Sequence, residues 1–172
     1  FREPASWPKT LTKRWTVDIG TGYATPLVIG NRVYVFTRQN ENEVMAALDA
    51  SSGKALWRTS YPAPFKMNPA TAPHGPGPKS TPTFAANRLF TLGISGIVTA
   101  FDATSGKQIW QRPAGPVEPL YHTGQSPLVV GDRVILHVGG HDNGALTAFD
   151  AATGTPRWSW NGDGPAYGSP LV

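Results

Sequence analysis

Ala47-Leu48-Asp49-Ala50-Ser51-Ser52-Gly53-Lys54-Ala55-Leu56-Trp57 returns as Ala100-Phe101-Asp102-Ala103-Thr104-Ser105-Gly106-Lys107-Gln108-Ile109-Trp110. It returns again as Ala148-Phe149-Asp150-Ala151-Ala152-Thr153-Gly154-Thr155-Pro156-Arg157-Trp158. The shared pattern is Ala-x-Asp-x-x-Ser/Thr-Gly-x-x-x-Trp. Recurrence of so many fixed positions at intervals of roughly 50 residues marks a repeat protein, and repeats of this length built from strands point to propeller blades.

The chemistry of the phrase is that of a turn followed by an anchor. Asp with Ser or Thr three residues on, then Gly, caps nearby N–H groups and supplies a residue that tolerates positive φ. An indole buries on the order of 150–250 Å² and its N–H needs an acceptor, so one Trp per repeat can latch one blade to the next. Trp57, Trp110 and Trp158 are therefore read as structural, as are Asp49, Asp102 and Asp150 and the glycines Gly53, Gly106 and Gly154.

A second phrase precedes each copy of the first. It reads Thr25-Pro26-Leu27-Val28-Ile29-Gly30-Asn31-Arg32-Val33-Tyr34-Val35, then Thr81-Pro82-Thr83-Phe84-Ala85-Ala86-Asn87-Arg88-Leu89-Phe90-Thr91, then Ser126-Pro127-Leu128-Val129-Val130-Gly131-Asp132-Arg133-Val134-Ile135-Leu136. Each is a strand, a two-residue turn and a second strand. Proline stands at the first strand residue, where its missing N–H is tolerated. Gly30-Asn31 and Gly131-Asp132 suit a type II′ turn; Ala86-Asn87 does not, and that hairpin is expected to turn differently.

Third strands follow at 44–48, 97–101 and 145–149, and fourth strands end near each Trp. The expected fold is all-β: a β-propeller of four-stranded antiparallel blades, incomplete, within a single domain over 1–172. The blades span 25–60, 81–112 and 126–160, with partial strands at 11–19, around Trp15, and at 169–172. Three blades cannot close a ring, so their outer faces and terminal strands call for further blades or a second copy of the chain. A measurement of size in solution separates these two, and a stable soluble monomer argues against both.

Composition agrees with many short strands. The 172 residues include 19 Gly, 17 Pro, 6 Trp, 7 Phe and 5 Tyr, with 40% hydrophobic content, enough for a core and for many tight turns. The net charge of +4 comes from only 15% charged residues, and the basic ones are scattered. The patch or stripe that nucleic acid requires is missing. With no cysteine, disulfides, thiolate metal sites and Cys nucleophiles are excluded. No apolar run reaches the roughly 18 residues of a membrane span, and Phe1-Arg2-Glu3-Pro4 is no signal peptide. Both ends look cut, as in a fragment of a longer chain.

In a propeller the D-to-A and B-to-C connections emerge on one face, and loops on a rigid scaffold are where binding usually lives. The D-to-A connections are 61–79, 112–125 (with Glu118) and 161–168 (with Asp163). The B-to-C connections include 38–43 and 137–143. From these come the ligand-binding candidates His74, Lys79, Tyr121, His122, His141 and Asp142. Tyr23 and Tyr167 join them, each three residues before a strand proline. The alternative is that these loops merely cap the blades. His137 and His141 lie four apart, but in a strand and loop, where they need not share a face for metal. Gly75-Pro76-Gly77-Pro78-Lys79-Ser80 lacks phosphate-loop spacing, and its prolines remove N–H donors. Asn161-Gly162-Asp163-Gly164 is too short for a calcium loop. Neither a Gly-x-Ser-x-Gly elbow nor a His-Glu-x-x-His pair occurs.

The eleven-residue phrase resembles the tryptophan-docking motif of the pyrroloquinoline quinone (PQQ) repeat propellers, which include quinoprotein alcohol dehydrogenases and the outer-membrane assembly lipoprotein of the β-barrel machinery. The resemblance covers nearly all of 15–172. It implies that each Trp packs on the neighbouring blade's turn, with the motif Ala leaving room, and that the Asp and Ser/Thr side chains bond across the turn. It also implies a periplasmic or extracellular location. Quinoprotein dehydrogenases of this group hold PQQ with calcium, an Asp base and, in many members, adjacent cysteines. This chain lacks cysteine, and no catalytic residue, metal ligand or cofactor site is identified from its residues alone. The expectation is a PQQ-like scaffold that binds a small ligand or a protein partner on its loop face. The alternative is part of a PQQ-dependent alcohol dehydrogenase.

Overall fold

A computed structural model describes residues 5–115, 117, 119–162, 164–165 and 167–172. It contains three four-stranded antiparallel sheets. The first comprises β1 (Leu27–Ile29), β2 (Arg32–Gln39), β3 (Asn42–Asp49) and β4 (Ala55–Pro62). The second comprises β5 (Thr83–Ala85), β6 (Arg88–Leu92), β7 (Val98–Asp102) and β8 (Gln108–Arg112). The third comprises β9 (Leu128–Val130), β10 (Arg133–Val138), β11 (Gly144–Asp150) and β12 (Pro156–Gly162). In each sheet the strands pair in chain order, the meander of a propeller blade. The fold is a partial β-propeller.

The turns follow their residues. Gly30 and Gly131 have φ of 58° and 59° and their successors do not, the type II′ pattern. Ala86 and Asn87 are both positive, at 48° and 57°, which is type I′. An alanine in this region is strained, whereas glycine is not. The substitution Ala86→Gly is expected to raise stability by about 0.5–1 kcal/mol, read as a higher denaturant midpoint at unchanged slope.

In the first phrase, Asp49 Oδ1 accepts from Ser52 N (2.9 Å) and Ser52 Oγ (2.8 Å). Asp102 does the same with Ser105, and Asp150 with Thr153. These donors depress the carboxylates, Asp49 to about 2, chiefly through Ser51 and Ser52, and Asp150 to about 2, chiefly through Arg157. Asp102 is lowered chiefly through Ser105.

Apolar clusters fill the seams between sheets. Phe36, Met45, Tyr61, Leu89 and Phe101 pack between the first and second; Phe90, Leu92, Trp110, Leu136 and Phe149 pack between the second and third. Each seam is also latched by an indole. Trp57 Nε1 donates to Ala103 O (3.2 Å) and Trp110 Nε1 to Ala151 O (3.1 Å). The motif alanines stand opposite their tryptophans in register, as in Ala47↔Trp57 and Ala100↔Trp110. The motif glycines lie under the rings: a Cβ on Gly154 would sit 2.6 Å from Trp110 Cδ2.

A further seam-crossing series runs through the hydroxyl residue before each strand proline. Thr25 N donates to Thr81 Oγ1 (3.1 Å), Thr81 N to Ser126 Oγ (3.0 Å), and Ser126 N to Ser169 Oγ (2.9 Å).

The flanking segments differ from expectation. Residues 11–19 and 169–172 form no strand, because a strand needs a hydrogen-bonded neighbour and none stands beside them among the described residues. Residues 11–24 instead strap the outer face of the first sheet. Trp15 and Ile19 cover Val35, Ala46 and Leu48, Trp15 Nε1 donates to Ala50 O (3.0 Å), and Thr21 bridges to Arg38. Trp15 thus makes on the first turn the contact that Trp57 makes on the second. The outer strand β12 is exposed throughout, with Trp158 at 42% and Trp160 at 59%.

The segment 38–43, expected as a loop, is a two-residue turn at Asn40-Glu41 between longer strands, with Arg38 paired to Glu43. Both side chains are buried. Glu43 Oε1 accepts from Ile94 N (2.6 Å) and Oε2 from Tyr61 OH (2.7 Å), so one carboxylate joins the first sheet to the turn of the second. Burial raises its pKa above the ordinary 4.5, against lowering by Ile94, Tyr61 and Arg38. Its stabilising contribution is therefore complete below pH 4.5 and declines as pH rises through the raised folded value. The three turn aspartates act oppositely: their contribution is present above 3.8 and disappears as pH falls through their depressed values. Urea melts across roughly pH 4–8 are expected to show a stability slope above about pH 4.5 that Glu43→Gln flattens. An identical slope in the variant would refute the assignment.

Candidate functional site

The loop face is built from connections that hold one another. In the first, Asn68 caps a 3₁₀ turn, Pro69–His74, accepting from Ala70 N at 3.0 Å. Asn68 also donates from Nδ2 to Leu120 O (2.9 Å) and from its backbone to His122 Nε2 (3.4 Å), stitching the first connection to the second. Phe65 lies between the Arg38 guanidinium, 4.8 Å from the ring centre, and the His122 ring, edge-on at 5.0 Å. Pro78 O accepts from Tyr23 N at 2.8 Å, which ties the stretch before Lys79 to the N-terminal strap.

Two neighbouring recesses result, and Tyr121 and Tyr167 line both. One, about 600 Å³, is bounded by Ala70, Thr71, His74, Lys79 and the two tyrosines. The other, about 510 Å³, is bounded by Pro119, Leu120, His122, His141, Asp142, Gly164, Pro165 and the same tyrosines. Of the eight candidates, seven line these recesses. Tyr23 stands at the edge, its ring 6.4 Å from that of His74 in a T-shaped arrangement.

Their roles differ. His122 is buried with φ of 67°, and its bond to Asn68 makes it a loop fastener. Lys79 Nζ is sealed from solvent with no hydrogen-bond partner among the described residues, and desolvation lowers its pKa. A buried cation without a counter-charge is costly. Tyr23, Lys79, Gly124 and Tyr167 each stand three residues before a repeat-equivalent proline, Pro26, Pro82, Pro127 and Pro170. Because the third is glycine, the Tyr167 ring fits over it, Cδ1 lying 3.0 Å from where a Cβ would be.

His137 does not join His141. Its backbone N and O are bonded to the Gln125 side-chain amide, at 3.0 and 2.8 Å, and no group of three or more His, Cys, Asp or Glu among the described residues is placed to hold a metal. Glu118 and Asp163 lie outside the described residues. Among the described residues no helix is long and apolar enough to cross a membrane.

Sequence reasoning missed Gln125, Glu43 and Asn68. Gln125 and Glu43 are wholly buried, and nothing in their local pattern says that a neighbouring sheet supplies their partners. The hydroxyl series had a signal, since Ser or Thr precedes each of Pro26, Pro82, Pro127 and Pro170.

Known proteins of similar sequence and shape contain this architecture. The chain is 32% identical over 161 residues to the quinohemoprotein alcohol dehydrogenase ADH IIB of Pseudomonas putida, covering 90% of this chain and 22% of that protein. It is 28% identical over 153 residues to the outer membrane protein assembly factor BamB of Shewanella oneidensis, covering 86% and 36%. Among solved structures, a europium-containing methanol dehydrogenase superposes with a TM-score of 0.59 at 25% identity, over 84% of this chain and 25% of that one. BamB from Moraxella catarrhalis, at 20% identity and a TM-score of 0.53, shares the fold over 83% and 39%. The chain therefore spans well under half the length of these relatives. The family profile described as outer membrane protein assembly factor BamB matches residues 7–171. With its repeated turn and three meander sheets, the chain belongs to this family of PQQ-like repeat propellers.

Proposed function

We propose that this chain is a section of a PQQ-like propeller, working in the periplasm or at the cell surface, whose loop face binds a small anionic ligand. One observation supports this above the others: a solvent-sealed ammonium, Lys79, unpartnered among the described residues, beside a recess walled by Tyr121, Tyr167 and His74. An anion entering there offsets the cost of the buried charge, and the aromatic side chains give a flat ligand surfaces to stack on. The location follows the relatives whose name refers to the outer membrane.

PQQ, a planar polycarboxylate, fits this donor set. Lys79 would hold a carboxylate and the tyrosines would face the ring; when bound, PQQ supplies two-electron redox chemistry. Calcium finds no matching ligand group among the described residues. The second reading, alcohol oxidation by the whole protein, is favoured by the 32% identity to a quinohemoprotein alcohol dehydrogenase. A loop face that docks a protein partner is the corresponding reading from the BamB relatives.

Calorimetric titration with PQQ, with and without calcium, tests the proposal. Saturable binding is expected, and Lys79→Met should weaken it by about tenfold or more. Alcohol-dependent dye reduction by the loaded protein would promote the second reading. Absence of PQQ binding, or binding indifferent to Lys79→Met, would overturn the ligand assignment.

A further inference from the structure

The two inter-sheet seams are built from repeat-equivalent residues, and they differ where the repeats differ. In the seam between the first and second sheets, Phe84 stacks on Tyr34 with centroids 6.2 Å apart. Tyr34 OH donates to Ala103 O (3.1 Å), and the Arg32 guanidinium donates to Ala103 O (3.0 Å) and Thr104 O (3.2 Å). That seam is filled and its cation is satisfied.

In the next seam the equivalents are Val129 for Phe84, Phe90 for Tyr34 and Arg88 for Arg32. A ring has become an isopropyl group, and a hydroxyl is gone. The space they vacate is a largely apolar slot of about 260 Å³ at the end of the sheets opposite the loop recesses, lined by Ala85, Phe90, Val129, Ala151 and Arg88. An apolar cavity of about 150 Å³ suffices for a benzene ring. The Arg88 guanidinium makes no hydrogen bond or ion pair to any described residue, unlike Arg32. Asp132 and Asp150 also border the slot; Asp132 is held by Arg133 and Arg157, and Asp150 by Arg157 and the donors of its own turn. Arg88 is thus the charge left available.

We propose that this slot binds a small aromatic monocarboxylate, its ring stacked on Phe90 where Phe84 stacks on Tyr34 and its carboxylate paired with Arg88. A guanidinium fork matches a carboxylate in two parallel hydrogen bonds. The ligand's ring takes the place that Phe84 fills in the other seam and supplies the same dispersion attraction to the slot walls. The site is separate from the loop face and does not depend on the reading given to Lys79. Trp110 supplies a built-in reporter, since its indole donates to Ala151 O and its ring lies 6.0 Å from that of Phe90.

The test is calorimetric titration of the whole protein with sodium benzoate and, as a neutral analogue, benzyl alcohol, with the Trp110 indole ¹⁵N–¹H signal followed in parallel. Benzoate is expected to saturate a site that persists in Lys79→Met, about tenfold tighter there than benzyl alcohol, and to shift the Trp110 signal. Arg88→Met should remove that preference while leaving benzyl alcohol unchanged. Val129→Phe, which installs the ring found in the other seam, should abolish both and raise the melting midpoint; should it fail to fold, the selective loss in Arg88→Met still decides. The proposal is overturned if benzoate shows no saturable binding up to ~10 mM, a range that covers millimolar affinities. It is also overturned if Arg88→Met binds benzoate as well as the parent, or if Lys79→Met removes the binding.

Discussion

Replacing Trp110 by alanine is expected to destabilise the protein by about 3–5 kcal/mol, more than any other single substitution proposed for this chain. Three losses act together. The indole is buried between the second and third sheets, at 8% exposure, so its removal opens a cavity walled by rings that cannot collapse into it, Phe90 at 6.0 Å and Phe149 at 6.5 Å. Its N–H bond to Ala151 O disappears. The turn 150–154, whose glycine lies under the ring, loses its cover. Urea unfolding of the parent and variant measures the cost, and a change below about 1 kcal/mol, the level of an ordinary surface substitution, would remove the latch from the account of the fold. The same replacement at Trp158, which is 42% exposed and has no turn above it among the described residues, should cost far less in this chain.

Gly154→Ala carries the second largest expected loss, about 3 kcal/mol, from two separable sources. Gly154 has φ of 69°, where a Cβ costs about 1–2 kcal/mol. Trp110 Cδ2 and Cε3 also stand 2.6 Å from the Cβ position, and overpacking adds about 1–3 kcal/mol. The two terms can be divided by experiment. In a Trp110→Ala background the steric part vanishes, and Gly154→Ala should then cost only the conformational part, about 1–2 kcal/mol. Gly131→Ala supplies a positive-φ glycine with no crowding, since its φ is 59° and nothing lies within 4 Å of the added carbon. An unchanged cost of Gly154→Ala in the Trp110→Ala background would show that the ring contact contributes nothing.

These two residues also show how far local reading reaches. The repeated turn was legible because an Asp that caps its own loop, and a glycine at positive φ, are properties of a few adjacent residues. The hairpin turns and the prolines at the hairpin starts were legible for the same reason. The edge segments 11–19 and 169–172 were not, because whether an extended stretch becomes a strand depends on a partner that the stretch does not contain. Residues 38–43 are expected as a B-to-C connection from the strand order alone, whereas strands β2 and β3 run on through Arg38 and Glu43. In the fold each is buried against the other, and Ile94 and Tyr61 complete the carboxylate's shell.

The candidate site divides in the same way. Propeller topology was enough to assign His74, Lys79, Tyr121, His141, Asp142 and Tyr167 to one face, and they line two recesses there. Topology could not tell which of them face a cavity and which fasten loops. His122 carries a reactive side-chain type, but its ring is spent on Phe65 and Asn68. Lys79 stands among the ligand-binding candidates of the loop face, and what sets it apart from them is that its ammonium is sealed from solvent with no hydrogen-bond partner among the described residues.

The sequence by itself determined the repeat, the strand order within each sheet and the turn chemistry, since all of these are governed by contacts between residues near one another along the chain. Only the tertiary structure decided how one sheet meets the next. It showed Trp15 latching the first turn as Trp57 latches the second, Glu43 reaching across a seam, and Val129 and Phe90 leaving open a slot that Phe84 and Tyr34 close. Those features depend on the sizes and charges of side chains drawn from different repeats, and a repeat pattern specifies what the copies share, whereas cavities and unpaired charges arise where the copies differ.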